Sequence, residues 1–346
     1  MKEDGHKEAQ KDTKRNPVGF GQCSISRAWF FAPFCASLWP ILPMLILHDP
    51  QCADYGSSLR PEQPARVTRT AAHLRAAQPG WSWRIPHAPV SEETLLLAHT
   101  PAHLTRLAVA RDFDDDTPFF AGIGDHARRA VSAAIEAAQH ALTTREAVFS
   151  LMRPPGHHAT AGHSMGFCYL NQIAVAARYA HQHLGAKRVA VWDPDAHHGN
   201  GTEAILHAHT SAPARPTTGA FFFASVHQSP GYPGTGTRDL GPFTRNWPIT
   251  PRTPRALHMA ALRESLDAVI AFRPDLILVS AGFDAYARDP ITTMTLEPED
   301  FATLGHWLAE TRSRHGIPAA AILEGGYSDD LPLLVEAFLA TWNNSA

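Results

Sequence analysis

Asp195 and His197 stand two residues apart in DPDAHHGNGT (193–202). Just past a strand, that spacing lets a carboxylate and an imidazole point the same way and share one metal ion. A third ligand must come from another segment, and Asp284 in AGFDA (281–285) is the candidate. Two carboxylates and one imidazole leave a coordination position open, as a hydrolytic centre requires. These donors fit Zn(II) and accept Fe(II) as well. His157 and His158, in RPPGHHA (153–159), are the acid–base candidates. Asp193 and Asn200 can each orient one of these imidazoles through its remote nitrogen, and an imidazole held that way beside an activated water is a general base. Tyr327, which follows two glycines, offers a hydroxyl to a developing oxyanion. Each residue also has a plainer reading: a hydrogen-bonded loop for Asp195 and His197, exposed loop histidines, a buried tyrosine. Their arrival together at successive strand ends favours chemistry.

The elements that must position these residues alternate along the chain. Apolar residues recur at helical spacing over 65–77, 127–142, 170–184, 254–272 and 298–314. Between them lie short apolar runs: MLIL from Met44, then 147–151, 188–192, 221–226, 276–280 and 319–323. Strand and helix in alternation predict an α/β domain with a parallel sheet flanked by helices. Ligands in such sheets sit beyond the carboxyl ends of the strands, which is where the His-, Asp- and Tyr-bearing stretches fall.

The whole chain has 346 residues, a net charge of −3 and 21 histidines. With no basic surplus, direct nucleic-acid binding is not expected. Four cysteines without a paired spacing argue against a disulfide framework or a zinc knuckle. Residues 1–43 differ from the rest, with a polar, basic leader before an apolar run that Pro33, Pro40 and Pro43 interrupt. That run is too broken for a membrane span. Residues 1–43 read as a disordered tail or start-site artefact, and 44–346 as one catalytic domain in the cytoplasm. The alternative is targeting by the apolar segment. Nothing in the sequence sets an oligomeric state.

Taken in order, RPPGHHA, GFCYLN (166–171), WDPDAHHGNGT (192–202), SVHQ (225–228), YPGTG (232–236), SAGFDA (280–285) and LEGGY (323–327) resemble the zinc-dependent histone deacetylase family, in particular its class II-like bacterial members. The resemblance covers roughly residues 44–346 and implies a single arginase-like α/β domain with an eight-stranded parallel sheet. It implies Asp195, His197 and Asp284 as metal ligands, His158 as general base with His157 as its electrostatic partner, Asp193 supporting His157, Asn200 facing His158, and Tyr327 polarising the substrate carbonyl. Gly166, Phe167 and Tyr232 would line a narrow channel for a lysine-like chain, with Asp116 on the rim. Asp193, Asp195 and Ser225 would surround a potassium ion. The implied reaction is removal of an acetyl or other acyl group from acyl-lysine, in a protein or peptide, by a metal-activated water, releasing acetate.

Some positions depart from that pattern. In LRPEQPARV (59–67) Arg60 replaces a histidine and Gln63 an arginine, which bears on product release, and Tyr286 stands where histidine is common. The polyamine-selective branch places a glutamate after the Asp-Pro of the next loop, and here Ile291 occupies that place, which favours acyl-lysine over a small acetylated amine. Three rivals follow. An acetylpolyamine deacetylase would keep the chemistry and change the substrate. An arginase-type two-metal hydrolase needs an aspartate where Gly199 stands. A non-catalytic acyl-ligand binding module would lack a ligand, base or tyrosine.

Overall fold

The structure is a computed structural model that describes residues 43–87, 90–210 and 219–343. The expectations for 1–43 therefore fall almost wholly outside the described residues. Among the described residues there are eight strands: β1 (Leu45–Leu47), β2 (Ser82–Arg84), β3 (Val148–Ser150), β4 (Val189–Asp193), β5 (Phe221–Gln228), β6 (Thr244–Ile249), β7 (Leu276–Ala281) and β8 (Ala319–Leu323). They form one sheet in the order β2-β1-β3-β8-β7-β4-β5-β6, and every pairing is parallel. The eight-stranded parallel sheet implied by the resemblance is the observed architecture.

β1, β3, β4, β7 and β8 are buried at every residue. A sheet covered on both faces selects continuous apolar runs rather than alternation, and this is why LIL, VAVWD and LILVSA read so clearly. The cover comes from α1 (Ala65–Ala77), α2 (Glu92–Leu95), α3 (Pro101–Arg106), α4 (Ile123–Thr144), α5 (Gln172–His183), α6 (Asn200–Thr210), α7 (Arg255–Ala271), α8 (Pro298–His315) and α9 (Leu331–Asn343). α4 packs on α5 and against β3 and β8, while α8 packs on α9. α8 starts with a reciprocal cap between Glu297 and Asp300 and stops at Gly316, whose φ of 64° suits a residue without a side chain. Phe149, Trp192 and Phe223 are at most 1% exposed, and truncating any of them to alanine would cost about 3–5 kcal/mol.

Because all strands run one way, their carboxyl ends open on one side. The strand order then brings together what the chain keeps apart. β3, β8, β7, β4 and β5 are neighbours in that order, so the segments carrying His157, Tyr327, Asp284, Asp195 and Ser225 lie side by side. No helix among the described residues is long and apolar enough to cross a membrane.

Candidate active site

Asp195, His197 and Asp284 each offer a ligand atom, and the three atoms lie within 4.8 Å of one another. Both carboxylates are fully buried. Backbone N–H groups fix them: Gly325 donates to Oδ2 of Asp195 at 2.8 Å, and Ala196 donates to Oδ1 of Asp284 at 2.8 Å. Nδ1 of His197 faces Oδ2 of Asp284 at 2.8 Å and Oδ1 of Asp195 at 3.3 Å. A bare lone pair facing two carboxylate oxygens would be repulsive, so Nδ1 either carries a proton, which the two carboxylates favour by raising the His197 pKa well above the usual histidine range, or shares a cation with them. A divalent metal ion satisfies all three donors at once and offsets two buried negative charges. The neighbouring glycines make the space. A Cβ on Gly282 would collide with the Asp195 carboxylate, and one on Gly325 with those of Asp284 and Asp195.

His157 and His158 have tilted rings with centroids 4.0 Å apart, yet opposite electrostatics. His157 donates from Nδ1 to Oδ2 of Asp193 at 3.2 Å, and its Nε2 lies 3.9 Å from Asp195. Burial opposes its charge, but the carboxylates of Asp195 and Asp193 prevail and push its pKa up to about 10. His158 is held well below the usual histidine range by burial and by the cationic neighbours His157 and His197. Its Nδ1 lies 2.8 Å from Oδ1 of Asn200. An amide oxygen only accepts, so Nδ1 carries the proton and Nε2 keeps a free lone pair, the tautomer a general base needs.

One cleft of about 250 Å³ reaches this floor, lined by Arg60, Pro61, Asp116, His158, Gly166, Phe167, His197, Tyr232, Ile291 and Tyr327. That volume lies just under the roughly 300–1,000 Å³ of most ligand pockets, so it suits a thin chain. Asp116, Gly166, Phe167, Tyr232 and Ile291 are thus brought together with the chemical residues. Gly166 (φ 56°) and Phe167 (φ 66°) form a left-handed turn, pinned by Phe167 N–H donating to Thr117 Oγ1 at 3.1 Å. A Cβ at Gly166 would stand 2.6 Å from Cδ2 of His158 and 2.9 Å from the Tyr232 ring. The Phe167 ring centroid is 5.6 Å from that of Tyr327.

Asp193 and Ser225 are paired in register across β4 and β5, both fully buried. Ser225 Oγ lies 2.9 Å from Nδ1 of His227. Gly199 has no room for an aspartate, because any Cβ there would strike Oδ2 of Asp193. Tyr286 is buried and donates its hydroxyl to Asp330 at 2.9 Å.

Three positioning residues escaped the sequence reading. Arg66 donates from Nε to Gly326 O at 2.7 Å and also to Glu324 O, with its guanidinium 4.6 Å from the Tyr327 ring centre. Glu324 accepts from the N–H groups of Gly156 (2.6 Å) and His157 (3.1 Å). Asp289 accepts from the N–H groups of Tyr327 (2.8 Å) and Ile291 (3.1 Å). Glu324 stood next to the glycines of a recognised motif, so adjacency could have flagged it. Arg66 and Asp289 stood in segments compared with the family pattern, but their partners lie across loops, so their sequence neighbours did not reveal their roles. Gln63 lies with Arg66 and Tyr327 beside a separate cavity of only about 20 Å³.

Comparison with known proteins shows the family to which the chain belongs. A histone deacetylase-like amidohydrolase of Pseudomonas aeruginosa is 37% identical over 259 residues, covering 70% of this chain and 65% of that protein. An acetylpolyamine amidohydrolase of Mycoplana ramosa is 35% identical over 221 residues, covering 61% of each chain. The crystal structure of the HDA15 HD domain superposes with a TM-score of 0.77 at 28% identity, covering 88% of this chain and 90% of that one. The family described as histone deacetylase domain matches residues 60–341, a span that holds every candidate ligand, base and cleft residue named above, and the chain belongs to that family of amide hydrolases.

Proposed function

We propose that the protein is a zinc-dependent deacylase that removes acetyl, or another short acyl group, from acyl-lysine side chains. The observation that carries this is the convergence of Asp195, His197 and Asp284 with His158 and Tyr327 at the floor of one narrow cleft. Zn(II), which the three donors fit, would supply a Lewis acid that polarises the acyl carbonyl and acidifies water. Fe(II) suits the same donors.

The protein's own groups then have these roles. Phe167 and Tyr232, with Gly166 leaving space between them, hold the alkyl chain and exclude water from around it. His158, neutral and with Nε2 unprotonated, takes the proton of the attacking water. His157, held cationic, stabilises the negative charge that develops beside it. Asp193 fixes the orientation and charge of His157, and Asn200 fixes the tautomer of His158. Tyr327, whose hydroxyl burial keeps protonated, donates to the oxyanion as the carbonyl carbon becomes tetrahedral. The protonated histidine returns its proton to the departing amine, and acetate remains. Asp193 and Ser225, paired in register across β4 and β5, together with Asp195 are proposed to hold a monovalent cation such as K⁺.

The rim favours acyl-lysine over acetylpolyamine. Ile291 lines the mouth and gives a cationic chain no partner. The acetylpolyamine reading keeps support from the amidohydrolase relative of that name.

The test is hydrolysis of an acetyl-lysine peptide and an acetylated polyamine, after chelation and after Zn(II) is restored. Metal-dependent release of acetate from the peptide is the expected result. Turnover of the polyamine alone would overturn the substrate. Metal binding without turnover of either would make the protein an acyl-ligand binding module. Asp284→Ala should lose metal on dialysis as well as activity, because one of three ligands is gone.

A further inference from the structure

Among the described residues, the lining of the cleft mouth carries one cation and one anion, Arg60 and Asp116, and Asp114 on the same loop as Asp116 also acts on Tyr232 at the mouth. The cation is Arg60, which donates from Nη1 to Asp115 O at 3.1 Å. The anion is Asp116, whose backbone N–H donates to Asp114 Oδ1 at 3.1 Å. The first bond ties Arg60 to the loop that bears Asp116, so the two charges are neighbours on one side of the opening. Among the described residues neither side chain enters an ion pair. The rest of the mouth is Pro61, Tyr232 and Ile291, of which Tyr232 is 38% and Ile291 37% exposed.

An acylated amine reaching the floor leaves its other end among these residues. An acyl-lysine inside a polypeptide presents two neutral amides there. An acetylated polyamine presents cations, which Asp116 attracts and Arg60 repels. A free Nε-acyl-lysine presents an ammonium and a carboxylate on one carbon, the same pair of charges as the rim with signs reversed. A guanidinium binds a carboxylate through two parallel N–H donors, and most of the donors of Arg60 are uncommitted.

We propose that Arg60 and Asp116 are specificity residues for a zwitterionic head group, with Arg60 taking the α-carboxylate and Asp116 the α-ammonium. The substrate class is then a free Nε-acylated diamino acid, acetyl-lysine being its simplest member. This rests on the deacylase reading of the cleft.

The experiment uses the metal-loaded protein and five substrates. They are free Nε-acetyl-lysine, its α-N-capped acid, its α-amide, the doubly capped form and an internal acetyl-lysine peptide. The expected result is a kcat/KM about tenfold or more higher for the free amino acid than for the doubly capped form, read mainly in KM. In Arg60→Gln the advantage conferred by the carboxylate should fall to about one, and in Asp116→Asn that conferred by the ammonium. The inference is overturned if the wild-type protein prefers the capped form or the peptide, or if the charge preferences survive both substitutions. Either of those outcomes still leaves acetate released, so the deacylase reading would stand. No turnover of any of the five would sink that reading and this inference with it.

Discussion

Two adjacent histidines of the same chemical type come out in different charge states, one cationic and one neutral, because one faces a carboxylate and the other an amide. Asp193 and Asp195 hold a proton on His157, while Asn200 offers His158 only a neutral oxygen. The cation on His157 then makes a second positive charge on His158 costly, which keeps its lone pair free. Tyr327 completes the set as a donor: burial raises its pKa well above the usual phenol range, although the Arg66 guanidinium works the other way. Tyr327→Phe removes that donor and no metal ligand. It should bind Zn(II) as the parent does and lose about 10²–10³ in kcat, the usual range for one oxyanion donor. Metal content by emission spectroscopy and steady-state kinetics check both halves. Full activity in the phenylalanine variant would remove Tyr327 from the mechanism.

At the level of elements, the loops after β7 and β8 must agree in position to within tenths of an ångström for Asp284 and Tyr327 to act together. Asp289 joins them, with one oxygen on Tyr327 N–H and the other on Ile291 N–H. Asparagine can accept only one of these and turns an N–H toward the other, so one buried bond is lost and a repulsion gained. Asp289→Asn should therefore lower kcat about 10- to 100-fold, equivalent to roughly 1–3 kcal/mol, with little change in KM or metal content. A loss confined to KM would mean that Asp289 shapes only the rim. The same loops show what could be read from the sequence. The candidate ligands and histidines stood out because each follows a fully buried apolar strand. β2 was not, since its three residues lie at the sheet edge with the pattern exposed, intermediate, exposed. β6 closes the other edge and contains Pro248, tolerable there because an edge strand need not donate on both sides. α6 starts at Asn200 inside a glycine-containing motif that reads as a loop. Arg66 and Asp289 were invisible for a related reason: their partners are fixed only by the strand order.

Across the whole molecule, a fully parallel sheet gathers buried acids at one end. Asp193, Asp195, Asp284 and Glu324 are all fully buried at or just beyond the carboxyl ends of three adjacent strands. Such an assembly must bind cations or protons to be stable. Glu324 shows the second solution. Burial lifts its pKa from 4.5 to about 7, with the cation on His157 and the N–H of Gly156 holding it partly down. The folded state thus binds more protons than the unfolded chain between about pH 4.5 and 7. Its contribution is fully present below the unfolded value and is lost as pH rises through the folded one. The full extent of that loss is about 3 kcal/mol. Glu324→Gln keeps an oxygen for the N–H groups of Gly156 and His157 and cannot ionise. In chelator, the variant should match the parent in thermal stability near pH 5 and exceed it progressively toward pH 8. Melting temperatures of both proteins at half-unit pH intervals test this. A difference that stays constant with pH would mean that Glu324 is ionised throughout, and that the charge of His157 alone neutralises it.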